Sequence, residues 1–90
     1  MDIPNIMIRI TFKIASNSDK NWRIGLTHDP LNKKTYWQYT EKQDVDLWED
    51  WQANSLADAQ EIEKLCINKG MVGGVAGNLS PNKPVYVYIF

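Results

Sequence analysis

The chain has 90 residues, a net charge of −1, and 43% hydrophobic against 23% charged residues. That is one domain, residues 1–90, with apolar material for a modest two-layer core, and it excludes a disordered or strongly polyionic chain. One cysteine excludes an internal disulfide and a Cys/His zinc pattern, and no apolar run is long enough to span a bilayer or to act as a leader. The expectation is a soluble, cytoplasmic domain with no membrane partner.

The net charge hides an asymmetry. Residues 1–40 carry six basic and three acidic groups, whereas residues 41–70 carry eight acidic and three basic ones. Only the first stretch offers the cationic surface of a nucleic-acid binder, and the acidic middle opposes long-range attraction to phosphates. Ordinary solvated surface explains the same pattern.

In chain order, residues 6–14 alternate: Ile6, Ile8, Ile10, Phe12 and Ile14 against Met7, Arg9, Thr11 and Lys13. The period predicts a half-buried strand. After a polar connection, residues 22–27 alternate again, with Trp22, Ile24 and Leu26 against Arg23, Gly25 and Thr27. The two predict an antiparallel hairpin. Asp29 and Pro30 are a good N-cap and first helical residue, so a short helix is predicted through Leu31, Lys33 and Lys34 toward Tyr36 and Trp37. His28 reads as a turn residue beside that cap, with no second histidine to make it a metal ligand.

Residues 38–54 give no clear period. Trp48 and Trp51, three apart, suit one helical face packed over the sheet; the functional alternative is recognition of a base or a quaternary ammonium. A helix is predicted over 55–69, with Ser55 as its cap, Asp58 completing an approximate capping box and Gly70 ending it. The glycine-rich stretch 70–77 follows a helix, so it is neither a P-loop nor a dinucleotide fingerprint and reads as a plain connection. Residues 85–90 alternate Val85, Val87 and Ile89 with Tyr86, Tyr88 and Phe90, a last strand whose free edge would allow a homodimer. The predicted fold is α+β: a small three-stranded antiparallel sheet (6–14, 22–27, 85–90) with two or three helices on one face.

Glu63 is the residue of greatest interest. Successive helical residues turn by about 100°, which places it within the arc of Leu56, Ala59, Ile62, Cys66 and Ile67. A carboxylate on that side needs a partner: an ion pair with Arg23, Lys13 or Lys33, a metal ion, or a slight helix rotation that lifts it to the boundary. Cys66 on the same face reads as inert packing.

The stretch Trp22-Arg23-Ile24-Gly25-Leu26-Thr27-His28-Asp29-Pro30 resembles the second signature of the GIY-YIG nuclease superfamily. Ala59, Ile62-Glu63 and Ile67 resemble that family's helix with a metal-binding glutamate. The resemblance implies a Tyr near the nucleophilic water, an Arg holding phosphate charge and a glutamate holding one divalent metal, magnesium or manganese. Here the tyrosine of the second signature falls on Arg23, that of the first near Lys13, and the helix arginine on Lys33. Only Glu63 is unchanged. Arg23 cannot serve as a general base, and Lys33 keeps the charge of arginine without its bidentate fork. Tyr36 and Tyr86 are the unassigned phenols.

Three functions follow as expectations. The first is a GIY-YIG-like domain that has lost catalysis and binds nucleic acid or protein. The second is a one-metal phosphodiesterase using Glu63 as ligand with Lys33 and Arg23 around the phosphate. The third is an interaction module or small inhibitor acting through the tryptophan-rich middle or the terminal strand edge. Candidate binding residues are Trp48, Trp51 and Lys34.

Overall fold

The first helix begins where Asp2 accepts the backbone N–H of Asn5 at 3.0 Å, with Pro4 in the first turn. In the computed structural model, which describes residues 1–73 and 77–90, this helix α1 runs from Ile3 to Ser16. The strand expected over 6–14 is therefore a helix. Positions 6, 10 and 14 belong to both a two-residue and a 3.6-residue period. What separates the two are residues 8 and 12, and here Ile8 is 53% and Phe12 71% exposed while Ile6 and Ile10 are buried. Ile3, Met7 and Ile14 complete the helical stripe, packed on the core.

Strand β1 is Arg23–Thr27. Helix α2, Pro30–Thr35, is capped by Asp29 as expected and passes into a π-helical turn, Tyr36–Thr40. Strand β2, Glu49–Gln52, follows, so Trp48 and Trp51 do not share a helical face. Trp51 enters the main core, and Trp48 packs on the other side of the sheet. Helix α3, Leu56–Asn68, is capped by Ser55, which accepts from Asp58 N–H at 3.1 Å. It ends at Gly70, whose φ of 104° lies in the left-handed region that favours glycine. Strand β3 is Val72–Gly73 and strand β4 is Tyr86–Ile89. Residues 74–76 of the glycine-rich connection lie outside the described residues.

The α+β class is as expected, but the sheet is mixed and four-stranded, in the order β2-β4-β1-β3. β4 is antiparallel to both β1 and β2, and β3 is parallel to β1. There is no hairpin between residues 6–14 and 22–27. The last strand is not an edge: its backbone is paired on both sides, so the expected homodimer through that edge has no open ladder to use.

The helices cover both faces rather than one. On the first face α1 and α3 bury Ile24, Leu26, Trp51, Val85, Val87 and Ile89. On the second, the π turn and the segment before β2 bring Trp37, Val45 and Trp48 over Tyr88 and Phe90. Arg23, Gly25 and Thr27 share that second face, because side chains alternate along a strand.

Candidate functional site

The second face gathers most of the chemistry, and its centre is Tyr88. The register sets Tyr88 opposite Gly25, and a β-carbon at residue 25 would collide with the Tyr88 phenol oxygen and ring. Glycine there lets the ring lie across β1. The Trp37 indole N–H donates to the phenol oxygen at 3.0 Å. Trp48 stacks on the ring at 4.6 Å between centroids and 7° between planes, and Phe90 lies beside it at 6.1 Å. The phenol is fully buried.

Charged groups approach this phenol from several elements. Burial raises its pKa most; the Trp37 hydrogen bond lowers it, Glu63 raises it, Arg23 lowers it, and Tyr36 raises it. Arg23 acts on the phenol from β1 and Glu63 from α3. The Arg23 guanidinium lies 4.8 Å from the Trp37 ring centre, within cation–π range. Arg23 also lines a cleft of about 320 Å³, together with Lys20, Asn21, Gln43, Asp44, Val72 and Phe90.

Glu63 itself is half-buried, and burial is what raises its pKa. Among the described residues the ion pair within 4 Å joins Lys13 and Glu49 at 3.4 Å; Glu63 takes part in none. Of the partners weighed from sequence, Lys13 is thus committed elsewhere, and no cation lowers the Glu63 carboxyl. The helix places this carboxylate at the boundary of the core. No group of three or more His, Cys, Asp or Glu suited to a metal ion occurs among the described residues. A metal held by Glu63 would take its remaining ligands from water and substrate phosphate.

Lys33 lies over the Tyr36 ring, 5.2 Å from its centre. The Tyr36 hydroxyl donates to Glu41 Oε1 at 2.7 Å, and that bond raises the phenol pKa most, followed by burial and the Glu41 charge. Lys34 belongs to the same last turn of α2. Tyr36 and Tyr39 project from the π turn, 41% and 64% exposed. Cations and exposed aromatics therefore come from one short stretch of chain.

The expected site residues divide accordingly. Arg23 lies against Trp37 on the Tyr88 face, Glu63 sits on α3, which packs on the other face, and Lys33 and Lys34 are on α2; Trp48 covers Tyr88 and donates to Asp50 Oδ2 at 2.8 Å. Trp51 is enclosed in the opposite core. Of the two phenols left unassigned by sequence, Tyr86 shares this face of β4, and Tyr36 reaches it from the π turn, its ring 5.7 Å from that of Trp37. Tyr88, not singled out there, occupies its centre. Its signal was the alternation of residues 85–90, which puts it on the Tyr86 side, but its place over Gly25 depends on a register between distant strands. Trp37 was likewise legible as aromatic and not as the donor to Tyr88.

His28 is held by structure. Its Nδ1 lies 2.8 Å from the Pro84 carbonyl oxygen, and its Nε2 accepts the Ser80 N–H at 2.9 Å. This assigns the proton to Nδ1 and ties the turn after β1 to the approach to β4.

No family model matches the chain, and comparison with curated proteins and with solved structures gave no significant match.

Proposed function

We propose that this domain is a non-catalytic binding module that takes single-stranded nucleic acid on the α2 and π-turn surface. The observation that carries the reading is the exposure of Tyr36 and Tyr39 on a turn that directly follows Lys33 and Lys34. Aromatic faces stack on bases of any sequence, and neighbouring cations hold the backbone. Arg23 adds a third positive group on the same side of the sheet. The centre of this face supports the reading without catalysis. The Tyr88 phenol is enclosed by Trp37 and Trp48, where a reacting phosphate would need room.

Fluorescence anisotropy with a labelled oligothymidylate tests this. Binding should weaken steeply between 50 and 200 mM salt, as expected of phosphate contacts (roughly tenfold or more for several). Lys33→Glu with Lys34→Glu should weaken it at least about tenfold and flatten the salt slope. Tyr39→Ala should cost about 1–3 kcal/mol if a base stacks there. Absence of binding at low salt, or binding indifferent to all three changes, rejects the reading.

A second reading rests on one observation, the half-buried Glu63 carboxylate, which takes part in no ion pair within 4 Å among the described residues. Under it Glu63 holds magnesium or manganese and the domain cleaves phosphodiesters, with Arg23 and Lys33 as cations. Metal-dependent cleavage of the same oligonucleotide, lost in a folded Glu63→Ala variant, would decide for it.

A further inference from the structure

Between α1 and the end of α3 lies a cleft of about 410 Å³, which shares Lys20 and Asn21 with the smaller cleft beside Arg23. Its volume lies within the range of small-molecule sites, roughly 300–1,000 Å³. Ile10, Ile14, Trp22 and Met71 supply apolar wall, and Cys66, itself only 1% exposed, borders it. Met7 and Ile14 belong to the core stripe of α1 and still remain half-buried, because this side of them is open. Among the described residues that line it two are charged, Lys20 and Lys69, both cations, and none is a carboxylate. Lys20 is anchored there, its ammonium 5.5 Å from the Trp22 ring centre. The hydroxyls of Thr11 and Ser18 and the amide of Asn21 complete the polar lining.

An apolar trough bearing only positive charge matches one kind of molecule. A neutral apolar ligand would leave the cations unused, and a compact anion would leave the apolar wall wet. We propose that this cleft binds an amphiphilic monoanion, an aliphatic chain ending in one carboxylate, with the chain against Ile10, Ile14, Trp22 and Met71 and the carboxylate at Lys20 and Lys69. The site is separate from the nucleic-acid surface proposed above, so each stands or falls alone.

The probe is sodium decanoate below its micellar concentration, followed by titration calorimetry and by tryptophan emission, since Trp22 lines the cleft. Decanoate should bind one to one, and decan-1-ol at least about tenfold more weakly, because a charge-assisted contact is worth about that factor. Lys20→Gln with Lys69→Gln should weaken decanoate about tenfold and leave decanol unchanged. Ala15→Phe, at an exposed lining position, should fill the cleft and abolish binding of both with unchanged far-ultraviolet circular dichroism. The lysine variants change no core residue and keep the test valid if Ala15→Phe fails to fold. Equal affinity for decanoate and decanol, indifference to the lysine changes, or no binding to the wild type overturns the proposal.

Discussion

Gly25 and Tyr88 act as one unit, because the absence of a side chain at residue 25 is what the ring occupies. Gly25→Ala should destabilise by about 2–4 kcal/mol, the sum of overpacking and loss of the Trp37 hydrogen bond. Combining it with Tyr88→Leu should cost clearly less than the two single changes added together, in a denaturant double-mutant cycle. Full additivity would mean that the ring does not depend on the glycine. Glu63 gives a pH test. Its folded pKa is raised by burial, so ionisation is disfavoured in the folded state. A raised carboxyl costs nothing below its unfolded pKa, where both states are protonated, and the cost grows as pH rises through the folded value. Glu63→Gln should therefore raise stability slightly at pH 7, by less than about 1 kcal/mol given its exposure, and leave it unchanged near pH 3. Destabilisation at pH 7 would point instead to a partner that pairs with the carboxylate.

At the scale of elements, α1 separates the two periodicities most sharply. If it is a helix, Ile10→Ala should cost about 2–5 kcal/mol and Phe12→Ala should lie within about 0.5 kcal/mol of neutral. A strand would bury both residues on one face and make both changes costly. Urea unfolding of the two variants distinguishes them. The same element shows what a sequence can carry. Helices α2 and α3 were legible because Asp29, Pro30, Ser55 and Gly70 act on bonds within their own turns. The equally local cap at Asp2 was overridden by an alternation that happens to coincide with a helical stripe at Ile6, Ile10 and Ile14. β1 and β4 were legible from period two, whereas their neighbours were not. Trp51 lies opposite Val87 and Gly25 opposite Tyr88 through contacts between distant parts of the chain. The meeting of the Trp37 indole and the Tyr88 phenol was illegible for the same reason.

For the whole molecule, the buried Cys66 thiol is an internal reporter. Burial pushes it up to about 11, with Lys69 opposing and Glu63 adding to the rise. At pH 7.5 it is almost entirely the unreactive thiol, and it is shielded as well. Labelling by a thiol reagent should proceed only as fast as the fold opens, and should accelerate in parallel with the loss of circular dichroism in denaturant. Rapid labelling of the native protein would show that the reagent reaches Cys66 through the α1–α3 cleft or through an opening of that layer. The order β2-β4-β1-β3 has a kinetic consequence. Among the described residues no strand pairs with the strand next to it in sequence, and Ile24 must find Ile89 while Trp51 finds Val87. Every ladder closes a long loop before it gains a hydrogen bond. Folding should therefore be slow for so short a chain, with the helices forming early and the sheet assembling in a late, concerted step once β4 threads between β1 and β2.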